Sequence, residues 1–239
     1  MIRKLAYWAD FDSADEEAIL SLPYRMQVTE RHGFIARERE KTTHSCLLVS
    51  GFASRHKIVV NGARQIVAIH MKGDIVDLQN SFLGVADHSV QALTESTVAS
   101  IPRESVKRLA VERPKVGMAM WLDTLVDASI SREWIANVGR RDAQTRIAHL
   151  LCEFSLRLKV AGLGEALNYE LPMTQEDIAD CTGLTPVHVN RMLKTLEAKS
   201  LISRRSTRSV TIGDWSKLAA AGDFDSTYLH LRRDEPALA

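Results

Sequence analysis

Residues 174–212 read TQEDIADCTGLTPVHVNRMLKTLEAKSLISRRSTRSVTI. Thr174 stands where a helix N-cap would, with Asp177 three residues on, close to a capping box. Ala179 is small enough for a second helix to cross closely, and Gly183 supplies a turn in which left-handed backbone costs little. Thr185 caps the next helix, and Pro186 takes its first position, where a missing N–H loses nothing. Val189, Met192, Leu193 and Leu196 give that helix an inward face. Two capped helices joined through a glycine turn make a helix-turn-helix.

The flank extends the motif. SLISRRSTRSVTI is a strand, a basic turn and a strand, the pattern of a wing. From 191 to 208 the basic residues are Arg191, Lys194, Lys199, Arg204, Arg205 and Arg208 against the single acid Glu197, a local charge of +5 in a chain whose net charge is +1. Such a concentration beside a helix-turn-helix favours phosphate contact. His188, Asn190 and Arg191 are the polar side chains on the early turns of the second helix, and an arginine there can fork onto guanine O6 and N7 in the major groove. The competing role for Arg191 is a backbone contact, since at least half of protein–DNA hydrogen bonds go to phosphate and sugar. The DNA-contact candidates are Thr174, Thr185, Pro186, His188, Asn190, Arg191, Lys194, Arg204, Arg205 and Arg208.

Upstream the pattern changes. Residues 13–31 are expected to be helical, with Ser13 as cap and Asp15, Glu16 and Glu17 in the first turn. From about 34 to 101 the chain reads as short strands, with VNGAR (60–64) as a hairpin turn and STVASIP (96–102) as the last strand. Many short strands at regular spacing predict a closed barrel or jelly roll. Pro102 opens a short helix and Pro114 a long one, in which Met118, Leu122, Leu125, Ser129 and Arg132 recur near heptad spacing and call for a partner helix. Gly139 is a C-cap or hinge candidate. A further helix carries Ala143, Ile147, Leu150, Leu151, Phe154 and Leu158 on one face, and AGLGEALNYE then breaks helicity.

The fold class is therefore α+β, an N-terminal β jelly-roll domain, a long dimerisation helix and a C-terminal winged helix-turn-helix. The expected boundaries are 1–113 for the barrel, 114–139 for the dimerisation helix, 140–222 for the DNA-binding domain and 223–239 for a C-terminal tail. The bulk properties agree: 45% hydrophobic and 26% charged residues are ordinary for a globular chain. Cys46, Cys152 and Cys181 lie far apart without zinc spacing, which suits reduced thiols. Acids interrupt the first 20 residues, so no signal peptide is expected. No apolar run nears the roughly 20 residues that span a bilayer. A cytoplasmic location and no membrane partner are expected.

GDIVDL (73–78), DAQTRIAHLLCEF (142–154) and MTQEDIADCTGLTPVHVNRMLKTLEAKSLI (173–202) together resemble the Crp/Fnr family of bacterial transcription regulators, over essentially the whole chain. The resemblance implies a homodimeric DNA-binding regulator whose effector domain is similar to a cyclic-nucleotide-binding fold. The family's recognition helix usually places a Glu two residues after the cap and an Arg six after it. Here Val187 replaces the Glu, and Arg191 keeps the Arg. The family's cyclic-nucleotide pocket uses a Glu and an Arg-Ser pair. Ungapped alignment puts Leu78 at the Glu position and His88 at the Arg position, and keeps only Ser89. Imidazole lacks the guanidinium's permanent charge and fork, and leucine offers no acceptor, so independence from cyclic AMP is expected. With Ser131 and Arg132 of the long helix, Leu78, His88 and Ser89 form the candidate effector pocket.

No cofactor is expected. Iron–sulfur sensing in the family needs an N-terminal cysteine group, and the first cysteine is Cys46. A haem would need axial ligands, for which His32, His44, His56, His70 and His88 are the candidates, although scattered strand histidines are more often ordinary core or surface residues. Cys181 could carry a redox switch, against the plainer role of a small buried thiol. The competing function is a cupin-like jelly-roll metal protein or enzyme, but no H-x-H pair, paired catalytic carboxylates or nucleophile elbow stands out. No catalytic or metal-binding residue is assigned. The expected partners are double-stranded DNA, a second copy of the chain and, for an activator, RNA polymerase.

Overall fold

The computed structural model of the chain describes residues 1–231, in two compact units that part inside one long helix, at 128/129. The first unit opens with α1 (Ile2–Leu5) and α2 (Ser13–Leu20). Seven strands follow: β1 (Arg25–Thr29), β2 (Phe34–Ala36), β3 (His44–Ser50), β4 (Phe52–Ile58), β5 (Arg64–Met71), β6 (Ser89–Ala92) and β7 (Ser96–Pro102), with α3 (Asn80–Leu83) between β5 and β6. They form two antiparallel sheets, β1-β7-β3 and β2-β6-β4-β5. Cys46, Leu48, Ala53, Val76, Val90 and Val98 make one core cluster of this jelly-roll unit.

β3 and β4 lie in different sheets, and Gly51 makes the corner between them. Its φ is +85°, and a Cβ there would lie 2.5 Å from the Glu95 carbonyl, so only glycine fits. The VNGAR turn forms, with Val59 N–H donating to Ala63 O at 3.0 Å. The expected helix 13–31 is corrected: it stops at Leu20, and β1 follows. Pro23 disfavours helical backbone at the residue before it and has no N–H to donate. Its cap is Asp12 rather than Ser13, in a capping box with Asp15.

α4 (Arg103–Glu112) and α5 (Pro114–Arg140) follow. Val116, Ala119 and Met120 of α5 bury themselves with Leu5, Ile19, Leu78, Ile101, Val106 and Leu109 in the second cluster of the first unit. The exposed apolar side chains of α5 are Met118, Trp121, Leu125 and Ile135, and exposed Ala128 and Arg132 complete a 3-4-3-4-3 spacing. Of the expected seam residues, Met118, Leu125 and Arg132 are exposed, Leu122 is half-buried and Ser129 is buried. Gly139 lies inside the helix rather than capping it.

The second unit holds α6 (Ala143–Ala161), β8 (Asn168–Glu170), α7 (Gln175–Thr182), α8 (Pro186–Ala198), β9 (Ile202–Ser203), β10 (Ser209–Ile212), α9 (Trp215–Ala221) and a 3-10 turn, Ser226–Leu229. Asp142 caps α6 through the Thr145 N–H, and Gly162 ends it. Glu153, buried on α6, accepts from Trp134 Nε1 and Tyr228 O–H, both at 2.9 Å. Of the expected tail 223–239, residues 223–231 therefore include a turn held against α6, and 232–239 lie outside the described residues. No described helix is long and apolar enough to cross a membrane.

Candidate nucleic-acid interface

α7 and α8 form the helix-turn-helix that their sequence specifies. The Thr174 hydroxyl accepts from Asp177 N–H at 3.1 Å while Asp177 Oδ2 accepts from Thr174 N–H at 2.9 Å, so the capping box closes in both directions. Two N–H groups that a helix start leaves unpaired are thereby satisfied. Gly183 adopts φ +65° as the α7 C-cap, and Leu184 N–H returns to Ala179 O at 3.1 Å. Arg146, on α6, braces the turn by donating to Thr182 O at 3.0 Å. Thr185 caps α8 by accepting from His188 N–H at 3.3 Å, with Pro186 at the first position.

α8 has two unlike faces. Val189, Leu193 and Leu196 are buried, whereas Val187, Asn190, Arg191, Lys194, Thr195, Ala198 and Lys199 line one open depression. Their spacing of three and four residues places them on one side of the helix. Arg191 and Lys194 are exposed, Asn190 is half-buried, and among the described residues neither cation joins an ion pair. His188 is half-buried and lies off the lining of this depression.

The wing is β9, a turn and β10, with β8 on the far side of β10. Ser206 Oγ accepts from the N–H groups of Arg208 and Ser209, and Ser209 Oγ accepts from Arg205 N–H at 2.9 Å. These bonds hold the tip with Arg205 and Arg208 exposed. The other basic residues are engaged within the fold. Arg204 forks onto Glu197, Nε to Oε1 at 3.0 Å and Nη2 to Oε2 at 3.1 Å, while Lys199 donates to Gln144 Oε1 at 2.7 Å. Thr174 is half-buried and committed to its cap. Among the described residues, Asn190, Arg191, Lys194, Arg205 and Arg208, with the half-buried His188, carry polar side chains of this region that join no ion pair. Cys181 is buried beneath this surface at the end of α7.

The first unit holds three of the other candidate residues, Leu78, His88 and Ser89. Leu78 is buried in an apolar cluster. His88 Nδ1 donates to Asp87 Oδ1 at 2.6 Å, and its Nε2 accepts from Gln79 Nε2 at 3.2 Å. This leaves the ring neutral, and burial holds its pKa below the ordinary histidine value. Ser89 Oγ accepts from Glu38 N–H at 3.0 Å. Ser131 and Arg132 are half-buried and exposed on the part of α5 that belongs to the second unit. Sequence reasoning missed Arg55 and Asp127. Arg55 is buried on β4; its Nη1 donates to Asp127 Oδ2 at 2.6 Å and its Nη2 to Val76 O at 3.0 Å. An arginine within an otherwise half-apolar strand was the available signal. Burial also pushes the Asp77 carboxyl up to about 6, partly offset by the Cys46 N–H that bonds it.

Of the positions expected to meet a cyclic nucleotide, Leu78 offers no acceptor and His88 carries no fixed charge. The Arg55 guanidinium spends two of its five N–H groups on Asp127 and Val76. His32 and His44 are exposed, and His56, His70 and His88 are buried. Among the described residues no three His, Cys, Asp or Glu side chains converge as a metal-holding group.

Comparison with known proteins gives the same two parts. Residues 27–113 match the family model described as the cyclic nucleotide-binding domain, and 145–221 match the Crp-like helix-turn-helix domain. The chain is 32% identical over 170 residues to the nitrogen fixation regulation protein FixK of Rhizobium meliloti, covering 70% of this chain and 73% of the relative. It is 28% identical over 182 residues to the transcriptional activator protein FnrL of Cereibacter sphaeroides, covering 75% and 73%. The structure of FixK2 from Bradyrhizobium japonicum superposes with a TM-score of 0.76 at 24% identity, covering 84% of this chain and 98% of that one.

Proposed function

The chain belongs to the Crp/Fnr family of transcription regulators, and from that premise we propose that it acts as a homodimer on a near-palindromic DNA site, without cyclic AMP. One observation carries the DNA-reading role: Asn190, Arg191 and Lys194 on α8, with Arg205 and Arg208 at the wing tip, stand exposed or half-exposed and outside any ion pair of the described residues. A surface of unspent cations and an amide beside a capped helix start is suited to phosphates and base edges together.

The seam Met118, Trp121, Leu125, Ala128, Arg132 and Ile135 supports dimerisation, because a heptad-spaced apolar stripe on a long helix is covered by a second such helix. Two copies of α8 then address half-sites about one helical turn apart. Leu78, which offers no acceptor, and His88, whose neutral ring is bonded to Asp87 and Gln79, support independence from cyclic AMP. FnrL is an activator by name. If this chain also activates, the exposed loop around Glu165 and the hairpin tip 61–64 beside Arg64 are the surfaces proposed to meet RNA polymerase.

Fluorescence anisotropy with the full chain and a selected duplex, across a salt series, tests this reading. Affinity should fall steeply with salt, and Arg205→Ala should weaken all sequences alike and lower the salt slope by about one. Saturating cyclic AMP should change neither quantity. A requirement for cyclic AMP, or binding that ignores salt, would overturn the proposal.

A further inference from the structure

We propose that Val187 reads a base: its methyl groups meet the 5-methyl of a thymine in the major groove. This rests on the DNA-binding role above and assigns the chemistry of one position within it. Val189, Leu193 and Leu196, the other apolar β- or γ-branched residues of α8, are 0%, 1% and 0% exposed, whereas Val187 is 81% exposed. It contributes nothing to the core. It sits in the first turn of α8, the part of a recognition helix that meets base edges, and its Cβ branch makes it a stiff, short apolar probe.

Its neighbours sharpen the assignment. Asn190 and Arg191 follow at three and four residues, on the same side of the helix, and all three line one depression. The hydroxyls nearby are spent: Thr185 caps α8, and Thr195 donates to Arg191 O at 3.0 Å. Asn190 and Arg191 make no side-chain hydrogen bond among the described residues. Val187, Asn190 and Arg191 therefore offer one apolar group, one amide and one guanidinium side by side. On the major-groove edge the amide is matched by adenine N6 and N7, the guanidinium by guanine O6 and N7, and the apolar group only by thymine's methyl. A carboxylate or lysine at 187 would instead seek a cytosine amino group or a phosphate, so valine changes which base is favoured.

The test replaces each thymine of a selected operator by deoxyuridine, one position per half-site at a time, and measures affinity of the full chain by anisotropy. Deoxyuridine pairs as thymine does and lacks only the methyl. One position should lose about fourfold per half-site, the worth of one buried methyl. Val187→Ala should lose a similar factor and become indifferent to deoxyuridine at that position alone, while Asn190→Ala keeps the methyl sensitivity. Uniform affinity for every deoxyuridine operator would overturn the proposal, as would methyl sensitivity that survives Val187→Ala. A wild-type chain with no sequence preference on any duplex would overturn the DNA-reading role itself.

Discussion

Trp121→Ala should separate the dimer. Trp121 is 59% exposed on α5 and lies between Met118 and Leu125, themselves 57% and 44% exposed. At a parallel two-fold seam each such residue meets its own copy, so one substitution removes both side chains of the contact. A tryptophan side chain spans about 150–250 Å², which leaves on the order of 100–150 Å² of Trp121 open in one chain. At about 25 cal/mol per Å², covering that surface is worth about 3 kcal/mol per protomer and about 5–6 kcal/mol per dimer. Self-association should therefore weaken by on the order of a thousandfold or more, since each 1.4 kcal/mol is a factor of ten. Sedimentation equilibrium over a concentration series reads this directly, and DNA affinity should fall in parallel. Val111→Ala is the control, since Val111 is 79% exposed on α4, outside the seam. An unchanged association constant for Trp121→Ala, or an equal loss for Val111→Ala, would refute the assignment of this face.

Arg191→Ala should cost about 1–3 kcal/mol per half-site and relax preference at one guanine; an equal loss on all sequences in competition binding would make Arg191 a phosphate anchor. Asp127→Ala should destabilise the first unit by on the order of 2–3 kcal/mol in urea unfolding, because it strands the buried Arg55 guanidinium. The cost stays below that of a wholly buried pair because the Asp127 side chain is 36% exposed; no loss would mean the pair is idle. Stability should fall on acidification. Burial lowers the folded pKa of His56 (to about 4), His70, His88 and His149, so their contribution is full above the unfolded value near 6.5 and is lost as pH falls toward 4. Asp77, raised to about 6, has the opposite sign: its folded form keeps a proton longer, and that contribution is lost as pH rises through 6. Asp77→Asn should therefore raise Tm most at pH 7, with the gain vanishing near pH 4; a gain constant with pH would contradict this.

The helix-turn-helix was legible because its determinants are local. Thr174, Asp177, Gly183, Thr185 and Pro186 act within a few residues of where they stand, and each takes the role its chemistry implies. The long helix was legible for the same reason, but which of its faces packs within its own unit was not. Met120 and Trp121 adjoin, one buried and one exposed, and α5 carries two apolar stripes whose sequence spacing does not say which faces its own barrel. Residues 21–31 were misread where Pro23 ends the helical pattern and β1 pairs with β7, whose residues lie some 70 positions away. The wing's charge was legible as a sum but not residue by residue: that Arg204 turns back on Glu197 while Arg205 points outward follows from the turn at Ser206. Arg55 and Asp127 are 72 residues apart, and no local pattern joins them. Val187 was visible only as a missing acid until its exposure gave it a face.

The central claim is sequence-selective DNA reading by a two-fold dimer. Repeated selection of bound duplexes from a random pool by the purified full chain, without any added small molecule, tests it most directly. The account predicts enrichment of a near-palindrome with half-sites about one helical turn apart, each half carrying a guanine whose selection is lost with Arg191→Ala. A pool that stays random after repeated rounds, or a single asymmetric motif indifferent to Arg191, would contradict it.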